Sequence, residues 1–406
     1  MKKILWLSDS PTTCTGYASI TRKVLNDLQG DYDCHCLGHN FYSQTVVPPI
    51  KFVDGEEINF TMHGAGAAKY SMDKVSHLIR SEKIDIFGGL LDTFMMQEAN
   101  FLNVDTSPAR TFFYFPSDGG GGLPLTCENI LKKVEMPIAM SKFGRDQVLK
   151  NYGIKSEYIP HAFDQKTFYP LSDIQKEENR IAWQLQGKFV VGTVARNQGR
   201  KMLDRTLKAF KLFCVDKPDA VLLMHCDAND PAQVNNLNEL INRFQLNNRI
   251  IFTGTSFFNP FTYSKMNEVY NLMDIFFLST SGEGFGIPII EAMGCGIPQV
   301  VTDYTTTKEL VEDDGKTGES VLLSGETEQA PAPHTNEILD GTLTGSWNVE
   351  RGVMSIYDAE KKLTKLYNDR KLLKQYSDAS YKKSRALYTW EKIMPMWRSV
   401  FERLSQ

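Results

Sequence analysis

No stretch of this sequence approaches the ~18 consecutive apolar residues that a membrane-spanning helix needs. The start, MKKILWLSDS, mimics a secretory leader because two lysines precede an apolar run. That run, Ile4–Leu7, stops after four residues at Ser8, Asp9 and Ser10, too short for a leader's apolar core. Neither charge sign dominates. The 45 Lys and Arg face 49 Asp and Glu, a net charge of −4, which excludes a strongly basic nucleic-acid binder. Cysteine is sparse: seven, an odd number, mostly in apolar contexts. That pattern predicts reduced thiols and a cytoplasmic protein, not a disulfide framework. Cys34-His35-Cys36 is the one close pair, and its alternation reads as a strand. No second ligand pair follows at zinc spacing, so no metal is expected there. With 42% hydrophobic and 23% charged residues, the chain is a folded globular protein, not a disordered, collagenous or coiled-coil one.

What is present is an alternation of apolar runs and helical spacings. KILWLSD, DCHCLGHN, IDIFGGLL, RTFFYFP, PIAM and SEYIPHAFD read as strands in the first part of the chain. Helical spacings separate some of them, such as Ile20, Val24, Leu25 and Leu28. From about Asp164 to Trp183 the composition turns polar, with Pro170 and a charged run at Lys176–Arg180, and reads as a connector. The pattern then restarts with KFVVGTVAR, AVLLMHC, RIIFTG and DIFFLST, and GIPQVVTD reads as the last clear strand. Repeated β-α units predict an α/β fold with parallel, doubly wound sheets in two Rossmann-like halves. The expected domains are 1–165 on the N-terminal side, a connector at 166–185, a second domain at 186–387 and a final helix at 388–406. Residues Thr327–Ser346 read as an exposed loop. The final helix places Trp390, Ile393, Met394, Trp397, Phe401 and Leu404 on one face, with Pro395 predicting a kink. From Arg351 onward there are 13 Lys and Arg against 6 Asp and Glu. That excess predicts solvated helix faces, or a basic face for an anionic surface such as a membrane.

The most informative string is STSGEGFGIPIIEAMGCGIPQVV, which follows the strand DIFFLST. Glu283 and Glu291 stand eight positions apart. Gly284 and Gly286 between them let the backbone approach a ligand closely. Pro288 suits the first turn of a helix, and Glu291 is expected in that same turn. A helix N-terminus offers unpaired N–H groups to an anion, and carboxylates on either side accept hydroxyl hydrogen bonds. That combination points to a nucleotide sugar. A second string, VGTVARNQGRKMLDRTLKAF, places Arg196, Arg200 and Lys201 at a strand-to-helix turn. Cations there can neutralise a departing diphosphate.

On these residues the chain resembles the retaining GT-B glycosyltransferases of the glycogen-synthase and sucrose-synthase-like group, glycosyltransferase family 4. EGFGIPIIE is similar to their Glu-x7-Glu motif, and Arg196 with Lys201 to their paired Arg and Lys. MSKFGRDQVLKNYG with YIPHAFDQKTFYP, the opening SDSPTTCTGYAS and the closing YTWEKIMPMW extend the likeness along the chain. The resemblance implies two Rossmann-like domains facing across a cleft, with a final helix returning to the N-terminal domain. It implies that Glu291 contacts the ribose and Glu283 the sugar hydroxyls, while Arg196 and Lys201 hold the diphosphate. Backbone near Gly284, Phe285 and Gly286 would lie over the donor, and Gly16 near the phosphates. The implied activity is sugar transfer from a UDP-, GDP- or ADP-sugar to a glycan, lipid, protein or nucleic-acid base, with neither metal nor cofactor. An epimerase, a phosphorylase or a non-catalytic nucleotide-sugar binder remains as an alternative on the same fold.

The chain departs from that family in three places. FPSDGGGG puts Ser117 and Asp118 where the family often has a His, which makes Asp118 a candidate for hydroxyl binding or proton transfer. The N-terminal loop has only Gly16 where many relatives have two glycines. Thr305-Thr306-Thr307-Lys308-Glu309 replaces a Gly-Gly-x-x-Glu string. Asp31-Tyr32-Asp33 precedes a strand and is not read as a metal motif. His161 is expected to pack in the core or at a hinge.

Overall fold

The computed structural model describes the chain except residues 52–55, 121–124, 232, 257–258, 325–341 and 345–348. It divides into two compact units. One comprises Met1–Ser117, Gly121–Ala162 and Trp390–Gln406, and the other Asp118–Gly120 and Phe163–Thr389.

In the N-terminal unit the strands are β1 (Lys3–Ser8), β2 (Asp33–Gly38), β3 (Ile50–Lys51), β4 (Glu57–Ile58), β5 (Thr61–His63), β6 (Ile86–Gly89), β7 (Arg110–Phe115), β8 (Met136–Ala139) and β9 (Glu157–Tyr158). Seven of them form one sheet in the order β5-β2-β1-β6-β7-β8-β9, with every pairing parallel. Parallel strands need crossovers, and helices such as α1 (Gly16–Leu28) supply them. Because both faces are covered, the strands are buried almost throughout, as in β1, where Ile4 to Leu7 are at most 1% exposed. The C-terminal helix, Trp390–Leu404, belongs to this unit. Trp397 packs edge-on against Trp6 at 5.3 Å and Tyr114 at 4.9 Å, and Phe401 lies 5.4 Å from Phe112. Each fully buried large apolar side chain stabilises by about 1.5–3 kcal/mol, so this aromatic cluster anchors the chain's end firmly. Pro395 lies inside the helix, and Val400 joins the buried face that the spacing had outlined without it.

The C-terminal unit repeats the plan. Its strands are β10 (Phe189–Val194), β11 (Ala220–His225), β12 (Ile250–Phe252), β13 (Ile275–Leu278), β14 (Gln299–Thr302) and β15 (Gly318–Val321), ordered β12-β11-β10-β13-β14-β15, again all parallel. The chain winds outward from β10 to β12, crosses back to β13, then winds the other way. Such a reversal opens a crevice at the carboxyl ends of the two central strands, where α/β sheets bind ligands.

Three expectations need correction. GIPQVVTD is not the last strand: β15 follows it on the sheet edge, and Thr342–Thr344 pairs antiparallel with Glu350–Gly352. The segment read as a connector carries a helix, Asp173–Ala182, started by a capping box between Ser172 and Gln175. The run SEYIPHAFD forms only the two-residue β9. The loop read at Thr327–Ser346 lies outside the described residues, apart from the backbone of 342–344.

Candidate active site

The two strings singled out in the sequence leave the sheet at neighbouring strands. Arg196 to Lys201 follow β10, and Ser279 to Glu283 follow β13, the pair that flanks the reversal. Side-chain hydroxyls stitch the two loops together. Ser279 Oγ donates to the carbonyl of Met202 at 2.8 Å, Thr280 Oγ1 to that of Arg200 at 3.2 Å, and Ser281 Oγ to the same carbonyl at 3.0 Å. The Ser281 N–H adds a 2.7 Å bond to it. These bonds satisfy buried carbonyls that would otherwise be costly.

At the centre sits Glu283, only 4% exposed. Arg200 Nη1 donates to its Oε2 at 2.8 Å and to the Gly282 carbonyl at 3.2 Å, while Lys201 Nζ donates to Oε1. Burial alone would raise the Glu283 pKa. Arg200 and Lys201 outweigh burial and hold it down at about 2. Burial and then Arg200 push the Lys201 pKa down to about 8, against the opposing pull of Glu283 and Asp118. The carboxylate is therefore ionised at neutral pH. It neutralises two cations that can also bind an anionic ligand.

The other predicted residues are placed as follows. Arg196 is held by both carboxylate oxygens of Asp230, Nε to Oδ2 at 2.6 Å and Nη2 to Oδ1 at 3.0 Å. It does not join Lys201 on Glu283; Arg200 does. Gly286 caps the helix Ile287–Gly294 at φ 101°, a left-handed conformation that glycine adopts without strain. Gly284 accepts from Thr306 Oγ1 at 3.2 Å, and Phe285 packs edge-on against Tyr388. Glu291 is the fifth residue of the helix Ile287–Gly294, not in its first turn. Its half-buried carboxylate accepts from Tyr270 Oη at 2.7 Å. Burial raises its pKa to about 7 against that hydrogen bond. Gly16 starts α1 in the N-terminal unit, where Thr15 Oγ1 accepts from the Ala18 N–H at 3.1 Å. Asp118 belongs to the C-terminal unit and pairs with Arg351 at 2.9 Å.

Outside the site, Asp31 pairs with Arg398, and Asp33 with Lys3 at 3.2 Å. His161 is buried, with Nδ1 2.8 Å from Tyr114 Oη. Much of the basic tail's charge is answered within the two units. Lys365 meets the buried Glu319 at 2.5 Å, Arg403 meets Glu157 at 2.7 Å, and Arg398 holds Asp27 as well as Asp31.

Asp230, Tyr270, Tyr304 and Arg351 are neighbours of the site that spacing did not reveal, whereas Thr305 stands in the string noted as a departure from the family. Thr305 Oγ1 accepts from the Glu283 N–H at 3.1 Å from a backbone at φ 54°, ψ −139°. A β-branched residue is strained there by about 1–3 kcal/mol. Thr305→Gly should therefore unfold at higher denaturant than Thr305→Ala, since both lose the hydroxyl and only glycine relieves the strain. Equal midpoints would remove the strain assignment.

Comparison with known proteins bears on the fold. Residues 175–341 match the family model of Glycosyl transferases group 1. Mannosylfructose-phosphate synthase of Agrobacterium fabrum is 28% identical over 183 residues, 43% of this chain and 38% of that protein. The lipopolysaccharide core biosynthesis mannosyltransferase LpsB of Rhizobium meliloti is 28% identical over 160 residues, 39% of this chain and 43% of that protein. The chain thus spans less than half the length of either relative. Among solved structures, sucrose-phosphate synthase from Thermosynechococcus elongatus superimposes with a TM-score of 0.75 at 14% identity, over 100% of this chain and 99% of that one. Anabaena HepE, solved in complex with UDP and glucose, gives 0.69 at 14% identity, over 99% of this chain and 100% of that one. These likenesses establish the GT-B fold.

Proposed function

We propose that this chain is a retaining glycosyltransferase that takes a sugar from a nucleoside-diphosphate donor. The observation that carries this reading is the Arg200–Lys201–Glu283 cluster at the reversal between β10 and β13. It sets two cations and a buried carboxylate where α/β sheets bind ligands. The match to a glycosyltransferase family supports it. Lys201 and Arg200, with Arg196 on the same turn, neutralise the diphosphate as it departs, so the reading calls for no metal. Glu283 accepts from the sugar's hydroxyls, and Glu291 from the ribose. Backbone at Gly284, Phe285 and Gly286 lies over the donor.

In the reaction, the bond from the anomeric carbon to the diphosphate oxygen breaks, and that oxygen keeps the electron pair. The acceptor hydroxyl oxygen bonds the anomeric carbon on the same face. Its proton passes to the departing phosphate. Fixed cations favour this step because negative charge grows on the leaving oxygen as the bond breaks.

A thermal-shift screen of UDP-, GDP- and ADP-sugars tests the reading. A ligand present at 100 times its Kd should add about 2.7 kcal/mol of stability and raise the melting temperature. No shift from any of them would overturn the donor assignment. Donor consumption only when an acceptor is added marks a transferase, whereas a new epimer formed without acceptor marks an isomerase.

A further inference from the structure

Arg351 lies outside the span matched by the family model, yet it pairs with Asp118, whose backbone lies against the loop that carries Glu283. One guanidinium nitrogen, Nη1, donates both to the Asp118 carboxylate at 2.9 Å and to the Asp118 backbone carbonyl. That carbonyl packs directly on Gly282, at 1.9 Å from the position a Cβ would take, so only glycine fits there. On the other side of this contact, Arg200 holds the Gly282 carbonyl and Glu283.

Three further ties keep the layers together. Gly120 and Glu350 exchange backbone hydrogen bonds at 3.1 and 3.2 Å, and the Gly352 N–H donates to the Ser281 carbonyl at 3.0 Å. Tyr304 Oη accepts from the Gly120 N–H at 2.8 Å and donates to the Glu350 carbonyl at 3.0 Å. Residues 118–120 are thereby stacked through Arg351 on the loop that carries Glu283. The negative charge of Asp118 favours the charged form of Lys201.

We propose that Arg351 is a positioning residue that holds and neutralises Asp118, so that this carboxylate does not compete with a nucleoside diphosphate for Lys201. The inference rests on the donor reading above. With Arg351 in place, the Asp118–Arg351 pair carries no net charge. Without it, Asp118 is an unpaired anion beside the cation that should meet the phosphates. A like charge repels the ligand, and the freed carboxylate attracts Lys201.

The test is titration calorimetry with UDP, GDP and ADP on the full chain. Four proteins are compared: wild type, Arg351→Ala, Asp118→Asn and the double variant. For whichever nucleotide wild type binds, Arg351→Ala should weaken binding about tenfold, roughly the effect of one charge about 12 Å away at an effective dielectric near 20. Asp118→Asn should bind at least as tightly as wild type. The double variant should regain most of the loss, because the unpaired anion is gone. A merely structural role for Arg351 would leave the double variant as weak as the single one, and so would a direct Arg351–phosphate contact. Either result overturns the inference while leaving the donor reading intact. Failure of wild type to bind any of the three nucleotides overturns both.

Discussion

Glu283→Ala should lose more folding stability than Lys201→Ala, and should regain it on adding nucleotide. Among the described residues, Glu283 is the one acidic side chain bonded to both Arg200 and Lys201. Truncating it leaves two like charges facing a space where a carboxylate stood. Removing one partner of a buried pair typically costs about 3–5 kcal/mol. Lys201→Ala is milder, because Glu283 keeps Arg200 as its partner at 2.8 Å. For ligand binding the order reverses. A diphosphate replaces the missing carboxylate in Glu283→Ala, so its nucleotide-induced rise in melting temperature should exceed that of wild type. Lys201→Ala loses a charge-assisted contact and should bind and turn over about 10²–10³-fold worse. Denaturant unfolding and thermal shift on the same preparations separate the two effects. If Lys201→Ala proved the less stable variant, or if nucleotide failed to rescue Glu283→Ala, the assignment of Glu283 as the resting counter-ion of a diphosphate site would fall.

Much of this site was legible in the sequence because its parts are local. EGFGIPIIE holds both carboxylates and the helix-starting glycine within nine residues, and the cations of RNQGRK lie within six. The parallel halves were legible for a similar reason, since strands buried on both faces read as apolar runs. What escaped is non-local. Asp230 meets Arg196 across 34 positions, and Arg351 meets Asp118 across 233, separations at which no spacing rule operates. Which cation would take Glu283 was equally hidden, because it depends on how far Arg200 and Lys201 reach once β10 and β13 are neighbours. β15 escaped because GESV interrupts its apolar run with Glu319. Buried on the sheet edge, Glu319 is answered by Lys365, Lys362 and Tyr376 from the basic tail. The same contacts account for part of the tail's excess charge. The helix within the presumed connector did carry a local signal, the Ser172-x-x-Gln175 capping box, masked by a polar composition with no residue fully buried.

Glu291 should make nucleotide binding tighten as pH rises from about 6 to 8, while the free protein loses stability between about pH 4.5 and 7. In the free protein burial holds its carboxyl near pH 7, against an ordinary value of 4.5. A group whose folded pKa is raised binds more protons folded than unfolded between those two values. Its contribution to stability is complete below pH 4.5 and is lost as pH rises through about 7. Ribose hydroxyls donate, so they favour the ionised carboxylate, and binding must expel the proton wherever it is still present. Affinity should therefore rise between pH 6 and 8, and calorimetry in buffers of different ionisation enthalpy should register proton release near pH 6. Glu291→Gln keeps an acceptor for Tyr270 Oη but cannot titrate. Its stability should stay flat where that of wild type falls from pH 4.5 to 7, and its nucleotide affinity should lose the pH dependence. A variant that still tightens its grip between pH 6 and 8 would move the titrating group elsewhere and remove Glu291 from the ribose.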